Sequence, residues 1–230
     1  MGSSIKAKLK QKKNRIKVIA CATVIEEMQP YLAPGASSEV LDFGLHLIPE
    51  KLREVLQEAI DKTSHDFDVI VLGYGMCSMA VVGLSSDRFT LVVPRVDDCI
   101  AIFLGSREEY GIQSNKDPGT YYLTKGWIEV GDSPFEEHDR LIELYGVEKA
   151  ERVMKMMLKN YTRLAYINTG REGDQEKYRQ YTYENAEKYG LRYEEIRGSN
   201  LLIKKMLLGP WDNDFIVVRP GKKIVFSDFR

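Results

Sequence analysis

Short aliphatic runs alternate along this chain with longer stretches in which apolar positions recur every three or four residues. Residues 15–20 (RIKVIA) have a β-branched apolar core, residues 68–73 (DVIVLG) are nearly all apolar, the pattern of a strand buried on both faces, and residues 89–93 (FTLVV) read as a third strand. Between them, residues 48–60 (IPEKLREVLQEAI) place Leu52, Val55, Leu56 and Ile60 on one helical face, with Pro49 suited to a first turn. Pro30, Pro34 and Gly35 punctuate the segment after the first strand. Residues 78–84 and 99–105 read as helices opening at Cys77 and Cys99. Further on, strands are expected at 120–123, 127–130, 163–168, 191–196, 215–218 and 223–226, and helices at 147–160, 175–189 and 201–208. Gly190 is a natural helix stop.

Strands alternating with helices imply an α/β fold with a mainly parallel sheet and Rossmann-like, right-handed crossovers. The expected layout is a basic tail over 1–14, a lobe over 15–118 that carries all three cysteines, and a second α/β lobe over 119–230. The two lobes would face a shared cleft; one continuous sheet is the alternative.

Charge changes the picture at one end. The chain of 230 residues has a formal net charge of −1, yet residues 6–17 hold seven cations and no acid. The remaining body is therefore net acidic, which argues against nucleic acid as the main ligand. The start reads as a solvated basic arm rather than a secretory signal. No apolar run approaches the ~18 residues of a membrane span. Three cysteines, an odd number, suit a reducing compartment, and a cytoplasmic protein is expected.

Those cysteines carry the candidate chemistry. Ligands of open parallel sheets bind outside the carboxyl ends of the strands, and Cys21, Cys77 and Cys99 each follow a predicted strand. Cys77 and Cys99 also open predicted helices, where the positive end of the helix favours a thiolate. Each alone reads better as a small buried apolar residue; it is the recurrence of all three at strand ends that points to a shared site. His46, in Gly44-Leu45-His46-Leu47, is the fourth candidate metal ligand. His65 and His138 lie among polar residues and are expected at the surface. Asp98 is a candidate ligand, a group that fixes one, or the N-cap of the helix after it, and Asp97 shares these roles. Tyr74 and Arg95 are placed to hold an anionic group. Asn168-Thr169-Gly170-Arg171 is a strand-to-helix turn in which Thr169 and Gly170 are candidates for binding a carboxylate or phosphate, with an ordinary Thr169 N-cap as the plainer reading. Thr120, Tyr122, Thr124 and Trp127 are candidates for the opposite wall. A phosphate-binding P-loop, a complete dinucleotide fingerprint, a nucleophile elbow, His-Glu-x-x-His and Cys-x-x-Cys are all missing.

Ala20-Cys21, Leu45-His46, Tyr74-Gly75-Met76-Cys77, Asp97-Asp98-Cys99-Ile100, Gly119-Thr120-Tyr121-Tyr122-Leu123-Thr124 and Asn168-Thr169-Gly170 together resemble an uncharacterised prokaryotic family of unknown function, over roughly residues 16–200. Its members are common in methanogens and anaerobes, often encoded beside corrinoid-dependent methylamine methyltransferases. The resemblance implies that Cys21, Cys77, Cys99, His46 and Asp98 form one site, and anaerobic one-carbon or corrinoid metabolism as the setting. Asn168 and Ser78 depart from the family's usual acid and glycine. The resulting expectation is a metal-dependent protein, with an iron–sulfur cluster or zinc on three thiolates and an open position for a small-molecule substrate in methyl or sulfur chemistry. Two alternatives stand beside it: a non-catalytic binder of a corrinoid or other small ligand, partnered by a corrinoid protein or methyltransferase, and a metal-free enzyme with Cys77 or Cys99 as nucleophile.

Overall fold

The computed structural model describes residues 15–33, 36–76, 79–130, 133–171 and 175–230. The basic arm over 1–14 and Cys77 with Ser78 lie outside the described residues. The architecture is α/β, as the alternation implies. One sheet has the order β2-β1-β3-β5-β9, built from β1 (Ile16–Cys21), β2 (Ser37–Leu41), β3 (Val69–Leu72), β5 (Thr90–Pro94) and β9 (Phe215–Val218). Its first four strands are parallel and β9 closes the edge antiparallel to β5. A second sheet, order β6-β7-β8, is parallel throughout; its strands are β6 (Thr120–Leu123), β7 (Arg163–Asn168) and β8 (Arg192–Arg197). A two-residue ladder joins β4 (Ser85–Ser86) to β10 (Lys222–Lys223). The two larger sheets are separate among the described residues, so one continuous sheet does not form.

All four residues of β3, and Val18 to Cys21 of β1, are buried, which is why their sequences are apolar without alternation. The helix α2 (Pro49–Asp61) lays Leu52, Leu56, Ala59 and Ile60 on the sheet. One apolar core includes Ala165, Ile167 and Ile196 of the second sheet together with Phe103 and the first-sheet strands. A smaller core around Leu123, Phe135, Met154 and Leu164 lies under α6 (Pro134–Tyr145), α7 (Val147–Leu158) and α8 (Gln175–Lys188).

Several expected elements differ. Residues 127–130 belong to a helix, α5 (Lys125–Val130), and not to a strand. The Thr124 hydroxyl accepts from the Trp127 amide at 3.2 Å and starts that helix, and Gly126 lets it approach α1 (Ala22–Met28): a Cβ there would come within 3.0 Å of the Thr23 carbonyl. Residues 80–83 form turns instead of the expected helix. Met79 takes φ +69° and Gly83 φ +95°, and the Gly83 amide donates to the Ile224 carbonyl at 2.9 Å. The strand expected at 223–226 shrinks to β10, followed by a 3-10 turn over Phe226–Phe229. Five of the helices and strands had no counterpart in the sequence reading: α1, β2, β4, α4 (Arg107–Lys116) and α6. The remaining helices are α3 (Cys99–Leu104) and α9 (Leu201–Leu208).

Candidate functional site

The chain leaves β1 through α1 to β2 on one side and returns through α2 to β3 on the other. The carboxyl ends of β1 and β3 therefore flank a topological switch point, the usual ligand position in such sheets. Cys21 is the last residue of β1 and the residue before α1. Cys99 is the first residue of α3, five residues past β5. Cys77, four residues past the strand expectation for β3, lies outside the described residues, so its approach is traced only as far as Met76.

That approach is tightly held. The Met76 amide donates to the Val96 carbonyl at 2.8 Å. Gly75 lies against the loop after β5, and a Cβ there would meet the Val96 carbonyl oxygen at 2.8 Å and the Asp98 amide at 3.0 Å. Gly73 lies as closely on β1, with the Ala20 Cβ at 2.5 Å from such a Cβ, and its amide donates to Ile19 at 2.8 Å. The Tyr-Gly-Met and Asp-Asp-Cys motifs are thus neighbours; Gly75 leaves room for backbone against backbone, and Gly73 for the Ala20 and Val24 side chains. His46 joins them: its ring centroid is 5.7 Å from that of Tyr74, whose side chain is fully buried. Burial pushes the His46 pKa down, favouring the neutral imidazole, the form able to act as a ligand or acceptor.

The two described thiols differ. Burial pushes the Cys21 thiol up to about 11, with the backbone amides of Val24 and Thr23 acting the other way. Cys99 is half-buried at a helix start, the more accessible of the pair. Asp98 caps α3: its Oδ1 accepts from the Ile100 amide at 2.9 Å, and burial raises its pKa. Asp97 faces outward and pairs with Arg107, 3.3 Å away. Arg95 follows β5 directly, and its side chain lines a cavity on the β9 side of the sheet. Among the described residues, no group of three His, Cys, Asp or Glu side chains is arranged to hold a metal ion.

The Asn168 turn is concave, as a binding turn should be. A cavity of about 680 Å³ opens at the carboxyl ends of β7 and β8, lined by residues 168–170, Glu195 and residues 197–200. Its amides are partly engaged within the fold. The Gly170 amide donates to Asn168 Oδ1 at 2.9 Å, and the Asn168 Nδ2 donates to Glu195 at 2.8 Å. The Thr169 hydroxyl donates to Glu27 Oε2 at 2.8 Å. Arg171 reaches the Glu26 carbonyl and carboxylate at 2.5 and 2.7 Å. The expected opposite wall is occupied by packing and capping. Thr120 accepts from the buried Arg163 at 2.7 Å, Tyr122 packs near Tyr110, and Trp127 stacks edge-on against Phe103. His65 is at the surface, but His138 is buried, close to Lys188 and the Tyr189 ring; the apolar flanks of α6 carry it inward despite its polar neighbours.

Sequence reasoning missed Glu27. It is 1% exposed, its Oε1 has no hydrogen-bond partner, and the hydroxyl of Thr23 one turn earlier has none either. The signal was available in the spacing: Thr23 and Glu27 share a helical face with the buried Val24 and Met28. A seven-residue helix opening without a polar cap was too short to show its period.

Nothing among curated proteins or solved structures matches the chain. A family model described as "Protein of unknown function (DUF1638)" matches residues 40–207. That span begins after β1 and takes in His46, the Tyr74 and Asp98 motifs and the Asn168 turn. With nearly three quarters of its length so matched, the protein belongs to the DUF1638 family.

Proposed function

We propose that the protein is a metal-dependent small-molecule protein whose centre is held by Cys21, Cys77 and Cys99 at the carboxyl edge of β1, β3 and β5. The observation that carries this reading is strand order. The three cysteines follow three consecutive strands of one sheet, with β1 and β5 only two strand spacings, about 10 Å, apart. The donor set suits a [4Fe–4S] cluster or zinc with one open position. Cys21 fits such a role because a thiol desolvated up to about 11 needs a nearby cation to ionise, and a bound metal supplies one. His46 is the candidate fourth ligand, Asp98 and Tyr74 orient the site, and Thr169 with Gly170 receives an anionic part of the substrate. The metal, when bound, contributes Lewis-acid chemistry in methyl or sulfur transfer. The setting in this reading is cytoplasmic, anaerobic one-carbon metabolism, beside a corrinoid protein or methyltransferase.

The test is elemental. Full-length protein purified without oxygen should carry iron with acid-labile sulfide, or zinc, in near-stoichiometric amount. Serine at position 21, 77 or 99 should each strip most of it. Metal content that is negligible, or indifferent to all three substitutions, overturns the reading. In that event the second reading is a metal-free enzyme with Cys77 or Cys99 as nucleophile, supported by the partial exposure of Cys99 at the start of α3.

A further inference from the structure

Where β9 runs along the outer edge of the large sheet, a cavity of about 390 Å³ is bounded by that strand and by Arg95, Arg219, Lys222, Lys223 and Asp228. Two stretches of chain bring these cations together, one at residue 95 and one over residues 219–223. The antiparallel register sets Phe215 opposite Pro94, so Arg95 lies just past that pair, its amide donating to the Asp214 carbonyl at 2.7 Å. Arg219 follows the far end of β9, and Lys222 and Lys223 form β10.

The charge in this cavity is not balanced by the protein. Asp228 is the lone carboxylate among the lining residues, and its Oδ2 accepts from the Val225 amide at 2.9 Å. Among the described residues no carboxylate lies within 4.0 Å of any of the four cations, whereas Arg107, Arg163, Arg171, Arg179, Arg192 and Lys205 each have such a partner. Arg95 Nε is moreover buried with no hydrogen-bond acceptor. A buried guanidinium N–H is normally satisfied, because leaving it without a partner forfeits its hydration. Four cations gathered in a chain of net charge −1 repel one another at a cost that an anionic ligand removes.

We propose that this cavity binds a small polyanion, a compact molecule carrying two or more phosphate or carboxylate charges. Arg95 is the inner contact, its planar fork suited to an oxyanion; Arg219, Lys222 and Lys223 line the rest of the cavity. The volume is that of a small-ligand pocket, whereas a nucleic-acid strand would need an extended basic groove.

Calorimetric titration of the full-length chain with pyrophosphate and with citrate, at low and moderate salt, tests the assignment. Saturable binding of one anion per chain that weakens with salt is expected, and the preferred anion separates phosphate from carboxylate chemistry. Arg95→Gln, and the exposed pair Lys222→Gln/Lys223→Gln, should each lower affinity at least ~10-fold. Lys149→Gln/Lys155→Gln on α7 removes the same charge elsewhere and should leave affinity unchanged. Absence of saturable binding by either anion overturns the proposal. An equal loss in the α7 pair, or tighter binding of a short DNA duplex, does the same.

Discussion

The hydroxyl of Thr169 donates a 2.8 Å hydrogen bond to Oε2 of Glu27, a carboxylate 142 residues earlier in the chain. Glu27 comes from α1, directly behind Cys21, and Thr169 from the end of β7, so this bond ties the cysteine edge to the turn at the second sheet. Burial raises the Glu27 pKa above the ordinary carboxylate range, against the pull of Thr169 and of Arg171. A raised carboxyl pKa means that the folded protein holds its proton where the unfolded chain has released it. Stability from this group is therefore full at acid pH, and it is lost as pH climbs from the ordinary glutamate pKa through the raised one. Glu27→Gln keeps an acceptor for Thr169 and removes the buried charge. Thermal melts should show the variant more stable at pH 7–8 by roughly 1 kcal/mol, and the gain should fade toward pH 4. A variant less stable across the whole range would mean that ionised Glu27 is favourable where it sits.

The two described cysteines should react very differently in metal-free protein. With its pKa near 11, Cys21 is almost wholly protonated at pH 8, and its sulfur is buried. Cys99 is partly exposed at a helix start. Iodoacetamide labelling followed by peptide mass spectrometry should modify Cys99 at least ~100-fold faster than Cys21. Equal rates would show that Cys21 is reachable and ionised, contrary to its position at the end of β1.

Gly75 is the point at which two motifs touch. Its replacement by alanine drives a methyl onto the Val96 carbonyl and the Asp98 amide, both backbone and unable to swing aside. Gly75→Ala should lower stability by about 1–3 kcal/mol in denaturant unfolding. It should also reduce whatever metal the wild type retains, because it displaces the segment leading to Cys77. Unchanged stability would mean that the loop from Val96 to Asp98 shifts freely, and the close approach would lose its meaning.

Asp98 caps α3 through the Ile100 amide, so capping and any contribution to the metal site can be separated. Asp98→Asn keeps the acceptor and should change stability by only a few tenths of a kcal/mol, whereas Asp98→Ala should cost about 1 kcal/mol. If Asp98 also supports the centre, the asparagine variant should lose ~10–100-fold in iron or zinc affinity while its metal-free stability holds. Equal affinities would leave Asp98 a helix cap alone.

Local pattern was enough to find the strands buried on both faces. The run at 69–72 is apolar because nothing polar can be solvated inside a covered parallel sheet, and it is the strand Val69–Leu72; Arg163–Asn168 is a strand too, its buried Arg163 paired with Thr120 and Glu194. The same local pattern put Cys21 at the end of a strand, Cys99 at the start of a helix and Asp98 among the candidates for its cap, since a polar residue before an apolar helix has a definite local task. Residues 22–28, 79–83 and 127–130 were decided by contacts far along the chain. α5 is a helix because Gly126 fits against α1; residues 80–83 turn because they close on Ile224. Glu27 acquires its meaning from Thr169, and Arg95 acquires its company from Arg219, Lys222 and Lys223. A residue's period and its capping chemistry are written within a few neighbours. Burial of a charge, or an unbalanced cluster of charges, depends on which distant segments the sheet order brings alongside, and only the tertiary structure decides that.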